Sequence, residues 1–271
     1  MIDFNKTRQY TLSIRLSTDG FCFAVHNPEA VGQFAYMPYR IDTHKSLTAN
    51  LKEAVKSTDM LRYNYKRVNI IVAGTNYTLV PKEYYADTHK QDFYRQNFTQ
   101  DTTNITLLDN IVADDQAVVI FAIEKTLHSY INERYPKANI YAAVSMLIDY
   151  TTEKSYTTTH KHCLAHIQHR QVDLVCCEKA QPRLVNTFKY KDTADALYYL
   201  LNCWSILGLN QTEDMLHLIG SPARSVRKMQ HDAAQFIQHI HLVRPAEEFH
   251  TNELARIDEL PFDLQILIAC E

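Results

Sequence analysis

Glycine is scarce in this chain: 5 residues in 271. Loops that cradle phosphate need glycine so that backbone N–H groups can approach the ligand. The scarcity therefore argues against a phosphate site before any motif is sought. Long apolar runs are also missing. No stretch approaches 18 apolar residues, so no membrane-spanning helix is expected. Met1-Ile2-Asp3-Phe4-Asn5-Lys6 lacks the apolar segment of a signal peptide. Neither sign of charge dominates. The net is −3, which provides no general field to attract nucleic acid or an anionic membrane. Six cysteines are present without Cys-x-x-Cys spacing, mostly in apolar runs. Together these features predict a reduced, cytoplasmic protein with buried thiols.

Apolar residues make up 46% of the chain, enough for two modest cores. Leu12, Ile14 and Leu16 alternate with Ser13, Arg15 and Ser17 as in a strand. Thr18-Asp19-Gly20 turns the chain, since Asp-Gly suits the positive φ of a hairpin. Phe21 to His26 returns, Asn27-Pro28 breaks it, and Gly32 to Pro38 gives a third strand. Ser46 caps a helix with Leu47, Leu51, Ala54 and Val55 on one face. Val68 to Ala73 reads as a strand buried on both faces. A helical stretch is expected from Pro81, carrying Tyr84, Tyr85, Phe93 and Tyr94. Strands follow at 103–112 and 117–123, then a helix at 124–134 and a strand from Ile140.

Residues 151–160 are rich in Thr, Ser and Tyr and have no apolar period, which suggests a boundary. Beyond it the order repeats. Three strands lie at 162–169, 172–178 and 183–190. A helix then runs from Asp192 or Thr193 to a C-cap at Gly208, followed by a strand at 215–219. A helix after Gly220-Ser221-Pro222 and a strand at 236–243 complete the copy. The expected units are 1–158, 159–243 and a tail, 244–271, too apolar to hang free.

Four segments carry a family resemblance: Leu12-Ser13-Ile14-Arg15-Leu16-Ser17-Thr18-Asp19-Gly20-Phe21, Asn76-Tyr77-Thr78-Leu79-Val80-Pro81-Lys82-Glu83, Asp195-Ala196-Leu197-Tyr198-Tyr199-Leu200-Leu201, and Leu260-Pro261-Phe262-Asp263. They resemble a bacterial domain-of-unknown-function family, which is itself similar to actin-like ATPases such as the pilus-assembly protein PilM. The resemblance implies an α/β fold of two ribonuclease-H-like halves, each a mixed sheet flanked by helices. It also implies a cleft where a nucleotide would sit between them.

In actin-like ATPases two hairpin turns grip the phosphates with backbone N–H groups, and an acid orders Mg²⁺ through water. The first turn here keeps Asp19 and Gly20. The second, His169-Arg170-Gln171, has no glycine, and Asp173 lies just beyond it. Gly220 is the single glycine at the position of the adenosine-binding turn, with Arg224, Arg227 and Lys228 nearby. If ATP and Mg²⁺ bind, Asp19, Gly20, Asp173 and Gly220 are the expected contacts. A ribonuclease-type metal nuclease would need several convergent carboxylates on the first strands, where Asp19 stands alone.

Other clusters read blandly. His160, His162, His166 and His169 include no evident fourth ligand and are expected to face solvent, not to hold zinc. Cys176 and Cys177 face opposite sides of a strand and cannot easily pair. Asp114-Asp115 reads as an exposed turn. The 17 tyrosines could build a partner surface, because the ring is apolar and the hydroxyl polar. The expected function is a non-catalytic scaffold that binds another protein, with no metal and no cofactor. The alternative is an ATP-binding ATPase or phosphotransferase.

Overall fold

The computed structural model describes residues 2–30, 32–99, 101–249, 257 and 259–271. In the first half, β1 (Thr11–Ser17), β2 (Gly20–His26) and β3 (Phe34–Tyr39) form an antiparallel meander. Next come α1 (Leu47–Ser57), capped by the Ser46 side chain on Ala49 N–H, and β4 (Arg67–Val72), parallel to β1. An insertion follows: β5 (Tyr77–Pro81), α2 (Lys90–Asn97), β6 (Ile105–Val112) and β7 (Ala117–Glu124). Then α3 (Lys125–Arg134) leads to β8 (Asn139–Ala142), parallel to β4, and α4 (Ala143–Tyr156).

The second half repeats the plan. β9 (His162–Gln168), β10 (Gln171–Glu178) and β11 (Gln181–Lys189) form the meander. α5 (Thr193–Ile206), β12 (Met215–Gly220), α6 (Ala223–Ala233) and β13 (His239–Leu242) follow. A short α7 (Pro245–Glu248) and α8 (Phe262–Ala269) end it. The sheet orders are β3-β2-β1-β4-β8 and β11-β10-β9-β12-β13. Position for position they are the same, antiparallel among the first three strands and parallel across the last two pairs. This is the duplicated ribonuclease-H-like architecture of actin-like proteins.

The insertion differs from expectation. Residues 77–81 form a strand, and the helix starts only at Lys90. Pro81 sits where β5, an edge strand, tolerates a residue without an N–H. Sheet β5-β7-β6 closes a small core of Val80, Tyr94, Val118 and Ile120, with α2 across it. Asn110 fastens β6 to the main body. Its Oδ1 accepts from Ala142 N–H at 2.8 Å and Ser145 Oγ at 3.0 Å, and its amide donates to Ile140 O.

Three apolar layers result. Leu12, Ile14 and Leu16 pack against Leu51 of α1 and Leu127 of α3 on the outer face of the first sheet. Cys163, Ala165 and Ile167 pack against Leu200 and Trp204 of α5 and Met229 of α6 on the outer face of the second. Between the halves lies the third layer, built around α4 and α8. α4 packs on β9 and β10 of the second half, while α8 packs on β1 of the first. Residues Phe262 to Ile268 are all buried, the polar Asp263 and Gln265 among them. No helix among the described residues is long and apolar enough to cross a membrane.

Few glycines leave the turns to other residues. Ala113, Asp114, Asp115, Arg170, Lys179 and Ala180 all have positive φ, a conformation uncommon for side-chain-bearing residues.

Candidate functional site

The first hairpin closes through Ser17 opposite Gly20, with Thr18 and Asp19 at the tip. The second closes through Gln168 opposite Gln171, with His169 and Arg170 at the tip. The two approach a common cavity of about 300 Å³. Its walls include Ser17, Thr18 and Asp19 from the first turn, Asn76 and Tyr77 from the β4–β5 connection, and Gln171 and Lys189 from the second half. Asp19 is exposed. Its own N–H donates to Ser17 Oγ at 3.2 Å, and its carboxylate has no hydrogen-bond or ion-pair partner among the described residues.

Gly20 has φ +152°, and a Cβ there would lie 3.3 Å from the Tyr39 carbonyl oxygen. Close strand approach therefore accounts for glycine at that position. Gly220 is more constrained. With φ +135°, a Cβ would meet the Ile167 carbonyl oxygen at 1.8 Å, and Ser221 N–H donates to that same oxygen at 2.8 Å. The backbone contact between β12 and β9 accounts for this glycine. Beyond it, Arg224 and Arg227 are exposed, and Lys228 pairs with Asp232 at 2.7 Å.

Asp173 is buried and held through both carboxylate oxygens. One oxygen lies 3.0 Å from His166 Nδ1 and accepts from Gln168 Nε2 at 2.6 Å. The other accepts from Thr187 Oγ1 at 2.7 Å. Since the Thr187 proton is used there, its oxygen accepts from Tyr77 Oη, 2.9 Å away. Burial and the nearby Asp173 charge push the Tyr77 phenol upward, so it stays a donor. Tyr77 belongs to the first half and Thr187 to the second, so this chain crosses the cleft. Sequence reasoning missed it because its five residues are spread over four strands, β5, β9, β10 and β11.

The four predicted contacts are therefore split. Asp19 faces the cavity, Gly20 and Gly220 are fixed by backbone proximity, and Asp173 is enclosed in the cross-cleft network.

Of the four clustered histidines, His160 and His169 are exposed as expected and the other two depart from expectation. His162 and His166 are buried, not solvent-facing, because α4 covers that face of β9. His162 Nδ1 lies 2.8 Å from His217 Nε2, its Nε2 lies 2.9 Å from Thr158 Oγ1, and the two imidazoles stack at 5.1 Å. Among the described residues no three His, Cys, Asp or Glu side chains converge as a metal site. Cys176 and Cys177 do face opposite layers, one against α5 and the other against α4. Asp114 and Asp115 are exposed at the β6–β7 turn.

Arg15 carries a feature the alternation did not reveal. Its face of β1 lies under α8, and its guanidinium meets Asp263 at 2.8 Å with both residues buried. At the far end of α8, Glu271 lies 3.1 Å from His26 Nε2 and accepts from Asn69 Nδ2.

A protein from Bacteroides thetaiotaomicron VPI-5482, described as having an actin-like ATPase fold and unknown function, superposes with a TM-score of 0.87. It is 35% identical, with 100% of each chain covered. A chain of the PilM–PilN type IV pilus biogenesis complex superposes with a TM-score of 0.58 at 12% identity, covering 97% of this chain and 98% of that one. No curated protein matches the sequence. The model of one family, described as "Protein of unknown function (DUF3822)", matches residues 1–240, and the chain belongs to that family.

Proposed function

We propose that this chain is a non-catalytic actin-like module that works in the cytoplasm by binding another protein. The observation that carries this reading is the engagement of Asp173. The acid beside the second turn is buried and held through both oxygens by His166, Gln168 and Thr187, so most of its acceptor capacity is spent inside the protein and not on a Mg²⁺ hydration shell. The residues present are a poor match to a Mg²⁺–triphosphate group. Asp19 and Glu124 line the cavity with carboxylates that have no partner among the described residues, but the second turn carries side chains at His169 and Arg170, and Gly220 is already packed on Ile167. Support for a protein partner comes from PilM, which has this fold and was solved in complex with PilN. The six cysteines are free thiols, in keeping with a reducing compartment.

A second reading, an ATP-binding ATPase or phosphotransferase, draws on the cavity of about 300 Å³ beside Asp19, at the small end of ligand pockets. Thermal unfolding with and without millimolar Mg-ATP separates the two. A ligand at 100 times its Kd stabilises by about 2.7 kcal/mol. The scaffold reading expects no shift. A rise in Tm that Asp19→Ala abolishes would overturn it.

A further inference from the structure

A groove that lies apart from the cleft runs between the β6–β7 turn and the C-terminal half of α4, with a volume of about 730 Å³. Two large apolar side chains border it unusually openly: Ile111 is 56% exposed and Tyr156 is 70% exposed. Exposed apolar groups grouped around a concavity are a mark of interaction surfaces.

The polar lining has one dominant sign. Asp114 and Glu153 line the groove, and their carboxylates have no hydrogen-bond or ion-pair partner among the described residues. Asp149 adds a third carboxylate, oriented by the Ala113 N–H at 2.7 Å. Asp115 is paired with Lys82 at 3.4 Å. Lys154 is the one cation in the lining, and it is taken by Glu248. The groove therefore presents uncompensated negative charge between apolar borders. A metal ion is a poor occupant, because no three ligating side chains converge among the described residues. A second copy of this chain, at net −3, is also a poor electrostatic match.

We infer that this groove docks a basic segment of a partner protein, one that sets Lys or Arg beside large apolar side chains. The inference rests on the scaffold reading above and gives its partner a chemistry. Apolar side chains of the segment cover Ile111 and Tyr156, and its cations meet Asp114 and Glu153. The apolar contacts supply most of the affinity, while the charges set register and speed association.

The test uses the full chain immobilised against a displayed library of random dodecapeptides. The expected result is enrichment of peptides with net positive charge and at least one aromatic or branched aliphatic residue. A synthetic copy of the strongest binder is then titrated by fluorescence polarisation. Asp114→Asn with Glu153→Gln removes the charge while keeping a residue that tolerates the left-handed backbone at position 114. Tyr156→Ala removes the apolar border. Each variant is expected to weaken binding by about tenfold or more, and the wild-type affinity to fall as salt rises.

Enrichment of neutral or acidic peptides, no enrichment, or unchanged affinity in both variants overturns the proposal. So does concentration-dependent self-association of the full chain that the same substitutions abolish, since the groove would then serve a second copy. Stabilisation by Mg-ATP would retire the scaffold reading and leave these peptide outcomes unaffected, so the two failures are distinguishable.

Discussion

Arg15 Nε lies 2.8 Å from both carboxylate oxygens of Asp263, across 248 residues of chain and inside the layer between the halves. Burial works against the Arg15 charge, but Asp263 outweighs it and the guanidinium is held above its ordinary value. A buried pair of this kind gains little over an apolar pair, yet either member left alone is an uncompensated charge. Arg15→Met and Asp263→Leu are each expected to cost about 3–5 kcal/mol, and the double variant far less than their sum. Urea unfolding of the four proteins closes the cycle. Additive losses would count against a direct pair.

Gly220 separates a structural role from a nucleotide-binding one. A methyl group there would overlap the Ile167 carbonyl oxygen at 1.8 Å, and no flexible side chain can move aside. Gly220→Ala is expected to cost more than about 3 kcal/mol or to abolish folding. Gly74→Ala, with no atom within 4 Å of the added carbon, is expected to stay within about 1 kcal/mol of wild type. Denaturant midpoints of the pair decide it, and equal tolerance would remove the backbone explanation.

Acid should weaken the fold through its imidazoles. Burial first, then neighbouring His162, His241 and Lys154, hold His217 down to about 3, against 6.5 when unfolded. Burial, with His160 nearby, lowers His162 as well. A depressed histidine binds fewer protons folded than unfolded, so its stabilisation is complete above pH 6.5 and is lost as pH falls towards the folded value. The expected slope is up to about 1.4 kcal/mol per pH unit for each imidazole. Chemical denaturation between pH 7.5 and 5 measures it, and His217→Gln should flatten the profile.

Asp149 works in the opposite direction. Burial pushes its carboxyl up to about 6, although the Ala113 N–H opposes the shift. A raised carboxyl contributes most below its unfolded value and loses that contribution as pH rises through 6. Its acceptor also serves a turn in which Ala113, Asp114 and Asp115 are all left-handed. Asp149→Ala leaves the Ala113 N–H without its partner and is expected to cost about 1–3 kcal/mol. Asp149→Asn retains an acceptor without the buried charge and should equal or exceed wild type in stability at pH 7.5, where the carboxyl is ionised. Equal losses in the two variants would show that charge, not the acceptor, matters there.

Much of the fold was legible because the strands alternate. Leu12, Ile14 and Leu16 declare one face of β1, and Asp19-Gly20 declares the turn. What escaped notice lay in side-chain hydrogen bonds, some within one helix and some between distant residues. The Thr- and Ser-rich stretch after 150 lacks an apolar period, yet α4 continues to Tyr156. Thr151 and Ser155 bury themselves there by donating to the helix carbonyls of Leu147 and Thr152, so polarity did not signal exposure. The strand histidines looked solvent-facing because their partners, His217 for one and Asp173 for the other, are invisible in local spacing. At the candidate site, Asp19 could be placed by eye, but the engagement of Asp173 depends on Thr187 and, through it, on Tyr77.

The reciprocal placement of α4 and α8 makes the two lobes interdependent. Each lobe's own closing helix shields its neighbour, so a proteolytic cut near the junction would yield pieces with bare apolar faces. Such pieces should be insoluble apart and should recombine when mixed, much as the halves of a split reporter do.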